Sequence, residues 1–231
     1  MSEMTKAERT SEERSQGGAT HRAIEGVRAL IMEHKMLPGQ QVRQEEIAAH
    51  LGLSRSPVRE ALRALEAEGF LVHTANQGYF VVRLSADEMH QIYLMRGVIE
   101  AAVLRRIVNV SADDIAELHA INNQVRKAIE VQSINQMLEA NRRFHFKIFS
   151  LSKMSLVQNY LEQLWHLSES YRATYLWLRE TRERIVYEHD IMMERLEAKD
   201  FEGLVRAADE HRSHAEARVA ELLPREDGFR Y

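Results

Sequence analysis

The sequence of 231 residues contains no cysteine, only three prolines and no long apolar run. Without cysteine, disulfides, thiol nucleophiles and thiolate metal ligands are excluded, and histidine, carboxylate and amide groups are the available ligands. No apolar stretch approaches the roughly 18 residues of a membrane helix. The first twenty residues also lack the apolar centre of a signal peptide. We therefore expect a cytoplasmic protein with no membrane partner.

Glycine and proline are absent from residues 98–202. This absence favours long helices over a turn-rich sheet protein. From Ser85 onward the apolar periodicity predicts six helices, at about 86–107, 111–131, 134–150, 154–179, 181–198 and 200–223. Ser111, Ser133 and Asp200 are their expected N-caps. The second part of the chain, residues 84–231, is therefore predicted to be an all-α six-helix bundle.

The first part of the chain has a different pattern. Residues 1–19 have few apolar side chains and are predicted to form a disordered tail. Helices are predicted at 21–35, at 44–51 and after Ser56, which we expect to be an N-cap with Pro57 in the first turn. Two β-type runs at 70–72 and 79–82 predict a hairpin. Residues 20–83 thus form a predicted winged helix-turn-helix, and the whole fold is mostly α.

The third of these helices has two distinct faces. Its apolar stripe consists of Val58, Leu62 and Leu65, and its basic face consists of Arg55, Arg59 and Arg63. An arginine fork matches a guanine edge, and the Ser54 and Ser56 hydroxyls suit a phosphate oxygen. Gly78 at the wing tip would allow close approach of the backbone. A solvated face paired with glutamates is the alternative, but the combined pattern favours binding to double-stranded DNA.

Histidines of the second part fall on apolar stripes. His189 and His211 are equidistant from Asp200, so they should face each other across a helical hairpin, while Asn141 and His145 are i, i+4 neighbours on another helix. Together these four residues have a geometry that suits one divalent ion. The alternative is that each histidine is a hydrogen-bonded core residue. His214 is either a further ligand or an outer partner.

Several motifs resemble a known family. Residues 53–62 (LSRSPVREAL) and 65–71 (LEAEGFL), followed by Gly78, resemble the GntR family of bacterial transcription regulators. Residues 93–100 (YLMRGVIE) and 141–145 (NRRFH) resemble the FCD effector domain of its FadR-type subfamily. Six effector helices rather than seven are similar to the VanR-type branch. The resemblance covers residues 20–223 and implies that Arg55, Arg59 and Gly78 contact DNA, but it implies nothing for Glu45, where some relatives carry a base-reading arginine.

The resemblance also has implications for the effector domain. Similar domains commonly bind zinc, or another transition ion such as nickel, through Asp-x-x-x-His and two later histidines. The corresponding ligands here are Asn141, His145, His189 and His211, with a neutral amide in place of the carboxylate. Relatives hold a carboxylate with a nearby arginine, so Arg96 and Asn141 are predicted effector contacts. The i, i+4 spacing of Arg96 and Glu100 also fits a surface ion pair.

We therefore predict a homodimeric transcription regulator, a repressor, that senses a small carboxylate at a metal site and binds a DNA operator. The alternatives are a mononuclear metal hydrolase with His145, His189 and His211 as ligands, and a regulator with a purely structural metal. The sequence argues against the hydrolase because no nucleophile motif is present and no carboxylate falls reliably on the inward stripes. The aromatic residues of this part either line the pocket or pack between helices, and packing is favoured: Trp165, Tyr171, Tyr175 and Trp177.

Overall fold

A computed structural model describes residues 6–33, 35–176 and 178–223, without the side chains of residues 6–16, 170, 174, 175 and 222. The chain divides between Arg83 and Leu84 into two compact units. No helix in the described ranges is both long and apolar enough to cross a membrane.

The first unit combines helices with a small sheet. The helices are α1 (Lys6–Met32), α2 (Gln44–Leu51) and α3 (Arg55–Ala67), and the strands are β1 (Gln41–Val42), β2 (Leu71–Thr74) and β3 (Gly78–Val81). The predicted hairpin is β2–β3, and β1 pairs with the other edge of β3 to give an antiparallel sheet of order β1-β3-β2. Its core includes Val27, Ile31, Val58, Leu62 and Leu65.

Two features of the first unit differ from expectation. Helix α1 begins at Lys6, so residues 6–19 are helical rather than an unstructured tail; alanine, glutamate, lysine and arginine in this segment favour the helix locally. The N-cap position of α3 is Ser54 and not Ser56; Ser54 has extended backbone, but its side chain makes no capping hydrogen bond. Ser56 and Pro57 lie in the first turn, where N–H groups have no intrahelical partner in any case.

The second unit is helical throughout its described elements. These are α4 (Ala86–Arg105), α5 (Ala112–Glu130), α6 (Ile134–Ser150), α7 (Ser155–Leu167), α8 (Glu169–Tyr175), α9 (Arg179–Glu197) and α10 (Phe201–Leu222). The predicted N-caps are confirmed, because the side chains of Ser111, Ser133 and Asp200 accept hydrogen bonds from backbone N–H groups of the first turn. The core of this unit includes Phe144, Ile148, Leu161, Trp165, Met192 and Leu204.

The prediction of six helices is wrong, because the helix expected at 154–179 is interrupted at Ser168. The described residues of the second unit therefore form seven helices. The Ser168 hydroxyl donates to the carbonyl of Trp165 at 3.1 Å, and Arg172 donates to the same carbonyl at 3.1 Å. Such side-chain bonds give the backbone an alternative to helical pairing. No glycine or proline marks the break in the sequence.

Candidate functional site

Three histidines from different helices meet in the second unit. His145 of α6, His189 of α9 and His211 of α10 bring ring nitrogens within 4.8 Å of one another. Their ring centroids are 4.9–5.3 Å apart. His189 is fully buried, His145 is 5% exposed and the His211 side chain is 11% exposed. The structure thus brings together the three histidines that the sequence placed on apolar stripes.

The environment keeps two of these imidazoles, those of His145 and His189, neutral. Burial, and secondarily the neighbouring His211, holds the pKa of His145 and of His189 well below the usual value. A neutral imidazole carries one unprotonated nitrogen that can bind a metal. Nε2 of His145 and Nε2 of His189 are buried and have no hydrogen-bond partner among the described residues. Buried polar atoms without a partner are costly, and a metal ion would satisfy both.

Asn141 lies one helical turn before His145 and is 7% exposed. Its Oδ1 is also buried without a partner within the described ranges. Three imidazole nitrogens and one amide oxygen form a neutral set of four donors. Nitrogen and oxygen donors of this kind suit zinc and similar transition ions. The residues therefore fit a divalent metal, although none of the four would neutralise its charge.

Two of the histidines contact a polar side chain through Nδ1. His211 Nδ1 lies 2.6 Å from Glu188 Oε2, and His189 Nδ1 lies 3.0 Å from Asn122 Oδ1. Burial raises the pKa of Glu188, but the hydrogen bonds from His211 and His214 outweigh burial and leave this pKa below its usual value. Partners of this kind fix the ring tautomer and orient Nε2 toward a metal.

Glu188 also contacts His214. His214 Nδ1 lies 2.7 Å from Glu188 Oε1, and its side chain is 51% exposed. Of the two roles left open by the sequence, these contacts support that of an outer partner. Glu188 is itself only 9% exposed. The expectation that no carboxylate lies on the inward faces is therefore wrong. The hydrogen bonds from His211 and His214 stabilise the carboxylate of Glu188 at this buried position.

A small cavity adjoins the histidine cluster. It is lined by Arg96, Leu138, Asn141, Trp165, Arg172, Leu176, Ile185, His211, Arg212 and Ala215. Arg96 is 3% exposed, so its pair with Glu100, at 3.0 Å from Nε to Oε1, is a buried pair and not a surface one. The cavity therefore joins the predicted effector contacts Arg96 and Asn141 to a metal-ligand candidate.

Trp165 both packs in the core and lines the cavity. Its indole Nε1 donates to Glu100 at 2.8 Å, and the guanidinium carbons of Arg96 and Arg172 lie 4.2 and 4.4 Å from its ring centroid. The aromatic ring and the carboxylate thus hold Arg96 at the cavity. The Tyr171 hydroxyl accepts from the Leu84 N–H at 2.6 Å. The side chain of Tyr175 and the whole of Trp177 lie outside the described residues.

Four residues around this site are not predicted from the sequence: Asn122, Arg172, Glu188 and Arg212. One of them had a usable signal, because Asn122 interrupts the apolar stripe formed by Leu118, Ile121 and Val125 of α5. A buried amide in such a stripe needs a polar partner. Arg172 could not be placed without knowing that the helix breaks at Ser168.

The basic face of α3 lies on the surface of the first unit. The side chains of Arg55, Arg59 and Arg63 are 72%, 54% and 63% exposed, while Val58, Leu62 and Leu65 are buried. The helix is therefore amphipathic in the predicted manner, with Ser54 and Ser56 at its N-terminal end. At the turn of the wing, Gly78 has φ of 90°, a conformation that favours glycine.

Carboxylates accompany this basic face. Arg55 Nη2 lies 2.9 Å from Glu45 of α2, and Arg59 and Arg63 lie 3.5 and 3.8 Å from Glu60. Exposed pairs of this type contribute little free energy, so a phosphate or a base can replace them. The three arginines of the basic face are thus accessible, and Glu45 competes with DNA for Arg55.

Two family models match the chain. The model described as bacterial regulatory proteins, gntR family, matches residues 19–81, and the FCD domain matches residues 91–214. The chain belongs to the gntR family of bacterial regulators. This regulator is 30% identical to the HTH-type transcriptional regulator McbR of Escherichia coli (strain K12), over 72% of its own chain and 76% of that protein.

Other relatives agree with this assignment. The regulator is 34% identical to the Nta operon transcriptional regulator of Aminobacter aminovorans over 54% of its chain, but this match spans only 59% of that relative. The solved structure of E. coli McbR/YncC superposes with a TM-score of 0.75 at 26% identity, covering 88% of this chain and 98% of that one.

The family decides between the predicted functions. Helix-turn-helix and FCD matches confirm a transcription regulator with a mostly α fold and exclude the metal hydrolase that was the alternative. Placement in the FadR-type subfamily stays a prediction, and its VanR-type branch loses its basis because the described residues of the second unit form seven helices and not six.

Proposed function

We propose that this regulator is a cytoplasmic repressor that binds a double-stranded DNA operator as a homodimer and responds to a small carboxylate bound at a metal ion. The observation that carries this proposal is the convergence of His145, His189 and His211 next to a cavity that is lined by His211, Asn141 and Arg96. Because the chain belongs to a family of DNA-binding regulators and matches the FCD domain, we infer that this site senses an effector.

The ligands define what the ion would contribute. His145, His189, His211 and Asn141 would hold zinc or a similar ion, which would supply positive charge to the adjoining cavity. Because none of the four donors is anionic, the ligands themselves would not neutralise the ion, and the carboxylate of Glu188 would act on it only through His211. Charge in a largely apolar interior is costly unless an anion completes it. A neutral donor set therefore favours an acidic effector.

Arginines determine the chemical class of that effector. Arg96, Arg172 and Arg212 all line the cavity beside Asn141 and His211. The planar guanidinium matches a carboxylate with two parallel hydrogen bonds. Glu100 is hydrogen-bonded to Arg96 and orients it. The proposed ligand is therefore a small carboxylate and not a cation or a neutral sugar.

Helix α4 provides a surface for the proposed homodimer. Leu94, Met95 and Val98 are 60%, 45% and 66% exposed and lie close together on one side of this helix. Large apolar side chains grouped on a surface mark interaction sites. A second copy of the same helix, related by a two-fold axis, would cover this group with an identical one. Two-fold dimers are also the usual state in which helix-turn-helix proteins read two half-sites.

The test is a calorimetric titration of small carboxylates into zinc-loaded and chelator-treated regulator. We expect tighter binding to the zinc-loaded protein, because metal and effector must strengthen each other by the same factor. Chelator-treated protein should still dimerise and bind DNA but lose its response to the effector. Equal affinities in the two forms would contradict the coupling. Zinc binding without any carboxylate binding would instead favour a purely structural metal.

Matched variants separate the site from general effects of histidine loss. His189→Ala removes a cluster member, whereas His119→Ala removes an imidazole that is 50% exposed and pairs with Glu197. We expect loss of zinc binding in the first variant and wild-type zinc binding in the second.

A further inference from the structure

Asn122 connects the histidine cluster to a surface ion pair. Its side chain belongs to α5 and is fully buried. Oδ1 lies 3.0 Å from His189 Nδ1, and Nδ2 donates to Asp190 Oδ1 at 2.9 Å. The amide therefore uses one end for the imidazole and the other for a carboxylate.

The carboxylate is itself held in place. Arg126, one turn after Asn122 on α5, donates through Nη2 to both oxygens of Asp190, at 2.6 and 2.5 Å. These two side chains are 38% and 37% exposed, so the pair lies at the edge of the unit. A charged nitrogen that contacts both oxygens restrains the orientation of the carboxylate.

The chemistry of these groups determines which atom faces His189. An ionised carboxylate only accepts hydrogen bonds, so the Asn122 group that faces Asp190 must be the NH2. The amide oxygen then faces His189, and Nδ1 of His189 must carry the proton. A neutral histidine protonated on Nδ1 has its lone pair on Nε2, the atom that is buried without a partner.

We propose that Asn122 is a positioning residue that fixes His189 as the tautomer able to bind metal through Nε2. This inference rests on the proposed metal centre. Asp190 and Arg126 fix the orientation of the Asn122 amide. The amide oxygen, as a hydrogen-bond acceptor, in turn fixes the orientation and the tautomer of the His189 ring. His211 has an anionic partner, Glu188, whereas His189 has a neutral one. The neutral partner adds no negative charge near the ion, which preserves the charge that would attract an acidic effector.

The first experiment measures zinc affinity of the full-length regulator by competition with a chelator. Asn122→Ala should weaken zinc binding by about 10–100-fold, the usual effect of losing an outer partner of a metal-binding histidine. Asn123→Ala is the matched control, because Asn123 is exposed and accepts from Nη1 of the same Arg126. It should leave zinc affinity unchanged.

A double variant tests whether His189 needs a hydrogen-bond acceptor at position 122. Asn122→Asp combined with Asp190→Asn keeps the net charge and reverses which residue is the carboxylate. The carboxylate at position 122 accepts from His189, and the amide at position 190 donates to that carboxylate. Zinc should therefore bind at least about tenfold more tightly than to Asn122→Ala. Zinc affinity as weak as in Asn122→Ala would contradict the role of an acceptor at position 122 in positioning His189.

Nitrogen-15 NMR of metal-free wild-type protein with labelled histidine reports the tautomer of His189 directly. This measurement needs no variant, so it does not depend on whether a variant folds. We expect His189 protonated on Nδ1, and protonation on Nε2 would overturn the inference. If Asn122→Ala kept wild-type zinc affinity and lost only thermal stability, Asn122 would have a structural role in the core and no positioning role. Absence of zinc binding by the wild type would overturn the proposed metal centre and this inference together.

Discussion

The guanidinium of Arg212 lies directly over Gly97. A Cβ at position 97 would come within 2.7 Å of Arg212 Nη2 and 2.8 Å of Cζ. Gly97 belongs to α4 and Arg212 to α10, and Arg212 lines the cavity that also borders Asn141. The missing side chain of Gly97 thus leaves the space that the arginine uses to reach this cavity.

Gly97→Ala should weaken binding of the carboxylate effector about tenfold, the effect expected for loss of one charged hydrogen bond of ~1.5 kcal/mol. The new methyl group displaces only the end of a flexible side chain, and alanine favours the helix by up to ~1 kcal/mol, so thermal stability should not fall. Gly18→Ala is the control, because Gly18 is also helical and has nothing near its Cβ position. Unchanged effector affinity in both Gly97→Ala and Arg212→Ala would remove Arg212 from the effector site.

Asn141→Asp should raise zinc affinity by about tenfold or more, because a carboxylate neutralises part of the charge of the ion. For the same reason, zinc should then increase effector affinity less than it does in the wild type. Isothermal titration with zinc, followed by the carboxylate, measures both effects. Asn159→Asp adds the same charge on an exposed position of α7 and should change neither. A larger metal-dependent gain in effector affinity than in the wild type would contradict the charge argument.

Arg55→Ala and Arg59→Ala should each weaken specific DNA binding by about 1–3 kcal/mol, because a bidentate contact with a base is lost. Binding to a duplex selected from a random pool is compared with binding to a scrambled duplex. Non-specific binding should change less. Arg105→Ala, an exposed arginine of the second unit, is the control. If both variants keep the wild-type ratio of the two affinities, α3 does not read the bases.

Gly78→Ala should also weaken DNA binding, through the backbone of the wing. A φ of 90° is unfavourable for alanine, although no atom lies near the Cβ position. The same pair of duplexes measures the loss. Binding of both duplexes at wild-type affinity would exclude a contact that depends on this turn.

Glu45→Gln should strengthen DNA binding about three- to tenfold at physiological salt. The substitution removes a negative charge from α2 and releases Arg55 from its exposed partner 2.9 Å away. Glu46→Gln is the matched control, since Glu46 is a neighbouring exposed glutamate that pairs with Arg43 instead. Equal gains in the two variants would indicate a general charge effect and no particular role for the Arg55 pair.

Substitution of the apolar group on α4 should affect assembly. Val98→Glu should weaken the proposed dimer by about tenfold or more, because a buried charge would oppose an identical one across the two-fold axis. Sedimentation equilibrium measures the dissociation constant. Val108→Glu, at a residue that is 84% exposed, is the control. A wild-type dissociation constant for Val98→Glu would show that the copies meet elsewhere.

Local patterns in the sequence determined several features of this protein. The stripe of Val58, Leu62 and Leu65 set the orientation of α3, because residues three and four apart share one face of a helix. The positions of His189 and His211 around Asp200 predicted that the two imidazoles would meet, because consecutive antiparallel helices pair residues at equal distances from their turn. The family motifs then agreed with both patterns.

Tertiary packing decided what these local rules could not. The break at Ser168 depends on competing hydrogen bonds to carbonyls, and it carries no glycine or proline signal. Burial of the Arg96–Glu100 pair depends on Trp165, which follows it by more than sixty residues. The contact between Asn122 and His189 joins residues 67 positions apart. Sequence periodicity shows which way a side chain points along its own helix, but only the packing of separate helices decides which polar atoms meet in the interior.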